Sequence, residues 1–328
     1  MRAWKLYFSM AGTLAVIFGL STLVFTIVLT LMDTGLSLAV IAVFVVIFSF
    51  AQWLLSPYLV GAVYKVKALG SNDNPEVYNM VKQLSLKSKI SPPKLMLAQI
   101  PMPNAFAYGS PLTGNRVAIT QGLLNSLDKG EIEAVIGHEI GHLKHRDVQV
   151  MMTVSFLPTL FYFIGYSLML SGIFGGRGRN SGGGNNALIG IAFMAFSWIL
   201  GIFTLYLSRL REYYADRHSV SIVENGAEKL STGLMTIVNE NKNQNRYRRN
   251  NNKENKSSNA SFKALFISDP SKADVEAEKL YTDNVGANKR ELLKEILSKK
   301  VTGAEKFAEL FATHPNIIKR LKAIQAQA

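Results

Sequence analysis

Four stretches of this chain carry no charged residue over a length that can cross a bilayer. Residues 7–32 and 36–55 form one pair, separated by Asp33, Thr34 and Gly35. Residues 150–174 and 187–208 form a second pair, separated by a loop rich in glycine and asparagine. About 20 residues of helix, rising 1.5 Å each, cover the roughly 30 Å of a hydrocarbon core, so the pattern predicts four apolar membrane helices in two hairpins. The first stretch is too long for the core of a signal peptide, and no A-x-A cleavage site follows it. For the second pair there is an alternative, a hydrophobic hairpin tucked into the membrane without crossing it. In either arrangement its two ends return to the same face.

The rest of the chain alternates apolar and polar positions as a water-facing fold does. Asn74 and Pro75 start an amphipathic helix carrying Val77, Met80, Val81 and Leu84, which ends before Pro92 and Pro93. Short apolar runs at 95–100, 105–108 and 117–120, divided by Pro, Asn and Gly, predict a small sheet. An edge of such a sheet can take up an extended peptide as an added strand. Helical periodicity returns over 288–298 and 303–312, then from Pro315 with Ile317, Ile318, Leu321 and Ile324 on one face. Residues 239–260 contain almost nothing apolar and are expected to form a flexible loop insertion.

The chemistry concentrates in residues 128–148, D-K-G-E-I-E-A-V-I-G-H-E-I-G-H-L-K-H-R-D-V. Asp128 and Glu131 have the spacing of a capping box, which predicts a helix start. On that helix His138 and His142 lie one turn apart on one face, able to share one metal ion, while Glu139 projects beside them toward any water the ion holds. This is H-E-x-x-H, the zinc-hydrolase signature. Ile132, Val135, Ile136 and Leu143 form a separate apolar stripe for packing. Gly141 weakens the helix by about 1 kcal/mol relative to Ala, which suggests close approach of another backbone.

A third ligand comes from the far side of the second apolar pair. His142 lies eight residues before residue 150 and Glu212 four after residue 208, so a hairpin brings the two to one membrane surface. Glu212 and Asp216, in R-E-Y-Y-A-D at 211–216, share one face of a helix continuing out of the fourth stretch. Glu212 is the candidate ligand, and Asp216 the candidate acceptor for the far ring nitrogen of a ligand histidine. His145 stands about 10.5 Å along the axis from His138, too far to share its ion, and His218 is read as structural. His314, in F-A-T-H-P, can fold back to stabilise an oxyanion, or stand exposed beside Thr313 capping the next helix.

Composition narrows the partners. The 328 residues include 48% hydrophobic side chains, no cysteine and a formal net charge of +13. Thiolate zinc sites and disulfides are therefore excluded. The positive charge suits the cytoplasmic loops of a membrane protein: Arg2 and Lys5 precede the first hairpin and Lys65 and Lys67 follow it, which predicts that both its ends face the cytoplasm. Nucleic acid is not expected as a partner. A membrane adaptor or holdase with a structural metal site is the competing reading, but structural zinc sites normally have four protein ligands and only three are visible here.

The sequence resembles the HtpX-type membrane metalloproteases, which are related to the CAAX prenyl proteases. The resemblance rests on the N-terminal hydrophobic hairpin, N-A-F-A-Y-G at 104–109, H-E-I-G-H, E-Y-Y-A-D and the late T-H-P, in that order. It implies a mainly α integral membrane protein with four apolar membrane helices and an α+β zincin-like catalytic domain carrying a small sheet. The expected organisation is an N-terminal hairpin (1–58), the first part of the catalytic domain (59–149), a second hairpin (150–208) and the second part of the catalytic domain (209–328) with its insertion at 239–260. Carried over by position, His138, His142 and Glu212 hold one zinc ion per chain and Glu139 is the catalytic base. Asp216 fills the second position of the E-x-x-x-D element. His314 serves the transition state, and Asn104, Ala105, Phe106 and Ala107 lie where substrate binds. The implied activity is a zinc endopeptidase of a prokaryotic cytoplasmic membrane, its catalytic domain in the cytosol, acting on misfolded or damaged membrane proteins. The asparagine-rich insertion departs from the family pattern.

Overall fold

The computed structural model describes residues 36–174, 183–250, 267, 273–280 and 289–327. The predicted span at 7–32 and most of the loop between the later apolar stretches lie outside the described residues. The elements in order are α1 (Leu36–Val63), β1 (Val66–Ala68), α2 (Pro75–Lys87), β2 (Lys94–Ala98), β3 (Ala105–Ser110), β4 (Gly114–Thr120), α3 (Gln121–Ser126), α4 (Lys129–Lys144), α5 (Asp147–Phe174), α6 (Gly183–Ile222), α7 (Gly226–Asn250), α8 (Ala273–Leu280), α9 (Lys289–Ser298), α10 (Gly303–Glu309) and α11 (Ile317–Gln325). The protein is therefore mostly helical with one small mixed sheet. It divides into two compact units, one made of Leu55–Val148 with Arg211–Ala328, the other of Gln149–Leu210 with the stretch up to Leu54.

The first unit is built around α4. Its N-terminus is fixed as the sequence predicts: the Asp128 carboxylate accepts from Glu131 N at 2.8 Å, and the Glu131 carboxylate accepts from Asp128 N at 3.2 Å. Glu131 is buried, and Lys289 from α9 neutralises it at 2.7 Å. Val135, Ile136 and Ile140 have no exposed surface and join a core with Leu230, Leu234 and Ile237 of α7, Ile119 of β4 and Leu321 and Ile324 of α11. Each such side chain contributes about 2 kcal/mol by leaving water. The predicted division of α4 into an apolar and a metal-bearing face is only part of the picture, because almost every residue from Glu131 to Gly141 is buried.

The sheet runs in the order β1-β2-β4-β3, with β2 parallel to β4 and the other pairs antiparallel. Strand β3 therefore lies on an edge. Thr120 N donates to the Asn104 carbonyl at 3.0 Å, so the backbone at Asn104 faces β4. By the antiparallel alternation, the N–H and C=O groups of Ala105 and Ala107 face away from β4, Ala105 in a buried position and Ala107 in a partly exposed one.

Within the second unit, Phe161, Ile164 and Leu168 of α5 cluster with Phe193, Leu200 and Leu207 of α6. Gly165 and Gly190 sit at the closest approach: a Cβ on Gly190 would stand 2.4 Å from the Met169 nitrogen. Ser197 Oγ donates to the Pro158 carbonyl at 2.7 Å, a polar bond between two otherwise apolar helices, and α5 continues through Pro158. Tyr162, Phe163 and Tyr166 of α5 and Leu188, Ile191 and Trp198 of α6 are exposed. An apolar exterior of this kind suits lipid rather than water. Among the described residues, two helices are long and apolar enough to cross a membrane, Asp147–Ile173 and Asn185–Ile222.

Two expectations are corrected. The first part of the predicted flexible insertion is helical, because α7 runs on to Asn250. The buried Leu230, Leu234, Ile237 and Val238 secure the helix, and the following polar residues extend its hydrogen-bond ladder at little cost once it is nucleated. Residues 251–260 of the insertion lie outside the described residues. The last helix starts at Ile317 rather than Pro315, since Asn316 is its N-cap and its side chain accepts from Ile318 N and Lys319 N.

Candidate metal centre

Small residues bring the two ligand-bearing helices together. A Cβ on Gly137 would lie 3.0 Å from Ser219 Oγ, and one on Gly141 would lie 3.0 Å from Ala215 Cα. Ser219 Oγ donates to the Ala134 carbonyl at 2.6 Å across the same contact. The C-terminal part of α6 is thus laid directly against α4, which accounts for the glycine that helix propensity disfavours. Glu212 and Asp216, one turn apart on α6, consequently reach the histidine pair on α4.

The geometry suits one ion. His138 Nε2 and His142 Nε2 are 3.1 Å apart. Glu212 Oε2 lies 3.7 Å from His138 Nε2, and Glu212 Oε1 lies 3.6 Å from His142 Nε2. Ligands at about 2.0–2.1 Å from a tetrahedral centre stand roughly 3.3 Å from one another, so this spacing matches a shared metal. His138, His142 and Glu212 form such a group with all donors within 4.8 Å of one another. Glu212 is buried, and its Oε2 accepts no hydrogen bond although Arg320 Nη1 stands 3.2 Å away. The residues present fit a divalent metal.

Behind each histidine stands a carboxylate, and behind each carboxylate an arginine. Asp216 Oδ1 is 2.9 Å from His138 Nδ1, and Asp147 Oδ2 is 2.6 Å from His142 Nδ1. With a metal bound, each Asp would hold its histidine with Nδ1 protonated and leave Nε2 free to act as the ligand atom. Arg320 meets Asp216 with Nε and Nη2, both at 2.8 Å, and Arg211 Nε is 3.1 Å from Asp147 Oδ1. Burial alone pushes the His142 imidazolium down, but the bond from Asp147 and the charges of Asp147, Glu212 and Glu139 hold it at about 9. Burial likewise opposes the charge on Arg320, yet Asp216 and Glu212 raise its pKa further, so it stays cationic.

Glu139 is 3% exposed beside this centre. His314 Nδ1 lies 3.5 Å from Glu212 Oε2, and both its ring nitrogens are buried without a hydrogen-bond partner. The structure therefore places His314 at the metal centre, the first of the two arrangements the sequence left open. His145 caps the end of α4 and packs edge-on against Tyr214 and His218, where burial lowers its pKa. His218 Nε2 pairs with Ser88 Oγ at 2.8 Å. Neither belongs to the ligand group.

The stretch 104–107 divides by role. Asn104 is fully buried and its Oδ1 accepts from Ile267 N at 2.9 Å, so that side-chain oxygen ties the chain at Ile267 to β3. Phe106 packs inward against Tyr64 and Tyr108. Ala105 and Ala107 turn their backbone groups away from β4, and of the two only Ala107 is partly exposed. Asp147, Arg211 and Arg320 carry no role in the sequence reading. Asp147 had a local signal, an acid five residues past His142 and just after Arg146, whose φ of 54° turns the chain back. Arg320 had none, being 104 residues from Asp216.

Replacing Gly141 with Val is expected to lower the melting temperature and weaken metal binding together, because the new side chain separates α4 from α6. Overpacking of this kind costs about 1–3 kcal/mol. Thermal unfolding with zinc titration checks it, and unchanged affinity would detach the helix contact from the site.

Two helical imidazoles, a carboxylate from a second helix and a buried glutamate between them define the class, an H-E-x-x-H metallopeptidase with helices suited to a membrane. The model of peptidase family M48 matches residues 71–328, and the chain belongs to that family. It is a membrane metalloprotease. It is 40% identical over 303 residues to a protease HtpX homolog of Thermoplasma acidophilum, covering 89% of this chain and 88% of that one. A protease HtpX homolog of Aeropyrum pernix is 37% identical over 280 residues, covering 84% and 82%. The crystal structure of S. mikatae Ste24p is similar in fold, with a TM-score of 0.53 at 19% identity over 98% of this chain and 67% of that one.

Proposed function

We propose that this chain is a zinc endopeptidase that cleaves misfolded or damaged membrane proteins at the cytoplasmic face of a prokaryotic cell membrane. The observation that carries the reading is the donor set: His138, His142 and Glu212 converge, and no fourth carboxylate or imidazole joins them as a ligand group among the described residues. Two imidazoles with one carboxylate suit zinc, and three protein donors leave a position open, as catalytic sites do. That count disfavours an adaptor or holdase with a structural ion.

A bound zinc polarises the scissile carbonyl and makes water nucleophilic near neutral pH. Glu139 takes the proton from the attacking water and returns it to the departing amine. His314 donates to the oxygen on which negative charge develops. Asp216 and Asp147 hold the two imidazoles in the tautomer that ligation requires. Strand β3 holds the substrate extended through the outward backbone groups of Ala105 and Ala107. The flanking Arg2, Lys5, Lys65 and Lys67 support a cytoplasmic placement, and the apolar exteriors of α5 and α6 support membrane-protein substrates reached within the same bilayer.

Detergent-solubilised protein is expected to digest both casein and an unfolded membrane protein, to stop on chelation and to resume with about one equivalent of zinc. Cleavage that persists after complete chelation would sink the reading. The strand role has its own test. Ala107→Pro removes an outward N–H that the edge strand does not need. It is expected to raise KM for an extended peptide about three- to tenfold with little change in melting temperature, the range of one or two lost hydrogen bonds. An unchanged KM would count against β3 as the substrate strand.

A further inference from the structure

Arg320 is fully buried, and its guanidinium is bonded to Asp216 and to the chain at Ile267 while standing beside Glu212 and His138. Nε and one Nη2 hydrogen go to Asp216, and one Nη1 hydrogen goes to the Ile267 carbonyl at 2.8 Å. Nη1 also stands 3.2 Å from Glu212 Oε2, an ion pair without hydrogen-bond alignment, and Nη2 lies 3.2 Å from His138 Nε2 and 3.4 Å from its Nδ1. A guanidinium is a rigid planar fork, so fixing three of its donors on Asp216 and Ile267 fixes the other two. The anchor is itself anchored, because Ile267 N donates to Asn104 Oδ1.

The two oxygens of Glu212 therefore stand in different surroundings. Oε2 is flanked by Arg320 Nη1 and by His314 Nδ1 at 3.5 Å, whereas Oε1 faces His142 Nε2 at 3.6 Å. Oε2 also lies 3.7 Å from His138 Nε2, so without a competing cation both oxygens are within reach of a metal. A carboxylate free to do so can bind through both oxygens and fill the position that catalysis needs empty.

We propose that Arg320 is a positioning residue that holds Glu212 Oε2 away from the metal, restricts the carboxylate to a single coordinating oxygen, and so keeps one coordination position open for the reaction. The inference rests on the metalloprotease reading and adds to it the reason the third ligand leaves room. The arginine also leaves the trio Arg320, Asp216 and Glu212 with a net charge of −1, so two buried carboxylates are tolerated beside the imidazoles.

Cobalt substitution reads the coordination number directly, since geometry governs the visible spectrum. The full-length protein in detergent is loaded with one equivalent of cobalt in wild-type form, as R320K and as R320Q. Lysine keeps the charge but replaces the fork with a point donor. Wild type is expected to show the strong absorption of a four-coordinate ion. R320K is expected to bind one ion with weakened absorption, and its zinc form to lose kcat about ten- to hundredfold with KM little changed, the range for residues that orient ligands. R320Q answers the same question if lysine prevents folding. Weak, higher-coordinate absorption in wild type would overturn the proposal, as would a wild-type spectrum in R320K, whether or not kcat falls. Failure of wild type to bind cobalt or zinc would instead overturn the metalloprotease reading beneath it.

Discussion

Glu139→Gln is expected to remove peptide hydrolysis while the protein still binds about one equivalent of zinc. The glutamate lies between the two histidines in sequence but outside the group of converging donors, so its carboxylate is available for proton transfer. Glutamine keeps the volume and removes the basic site. A positioned general base is worth roughly 10²–10⁴ in rate, so a loss of at least about a hundredfold in kcat is expected with modest change in KM. Metal analysis beside casein digestion checks both halves. Retained cleavage would refute Glu139 as the base, and loss of zinc would move it into the ligand set.

Glu212→Gln makes the same change of charge in the same pocket and is expected to behave in the opposite way, losing the metal first and the activity as a consequence. Residues that merely orient ligands are worth about 10–100-fold in metal affinity, so removal of a ligand should exceed about 100-fold. Glu212 comes from α6 and the histidines from α4, so an ion held by all three would also join two helices. The zinc-dependent rise in melting temperature expected of wild type is therefore expected to disappear in the variant. Zinc affinity by chelator competition, with melting curves at matched zinc, separates the two glutamates. A variant that kept wild-type affinity would remove Glu212 from the coordination shell. Arg320 retains Asp216 in this variant, so gross unfolding is not expected.

Much of the site was legible because its elements are local. The capping box at Asp128 and Glu131, the one-turn spacing of His138 and His142 and that of Glu212 and Asp216 are all set by helix periodicity, which a sequence displays directly. The small sheet was legible from its apolar runs, although β1, only three residues long, was not. Two misplacements are instructive. Residues 239–250 look like a loop by composition, yet they continue a helix whose stability comes from Leu230 to Val238 upstream. Thr313 and Pro315 look like a cap and first turn, but Asn316, with a side chain that caps two N–H groups, sets the boundary instead.

Asn104 shows the limit of motif reading. Its place in N-A-F-A-Y-G suggests contact with substrate, whereas its side-chain oxygen is committed to Ile267, 163 residues away. Arg320 shows it more sharply. In the sequence it is one basic residue among 36 and sits on a helix whose apolar face suggests only packing. In the folded chain it is a buried cation touching Asp216, Glu212, His138 and Ile267.

The sequence by itself determined the helix that carries the H-E-x-x-H motif, the apolar stretches suited to lipid and the candidate for the third ligand. Each of these depends on periodicity, length or order along the chain. Only the tertiary structure decided which acid stands behind which histidine, that an arginine balances each acid, and that His314 reaches the centre. Those contacts depend on how closely α4 and α6 approach through Gly137, Gly141, Ala215 and Ser219, and on where α11 lays Arg320. Spacing along a chain carries no information about pairs brought together by packing between distant segments, and a buried charge acquires its role only from the neighbours that packing supplies.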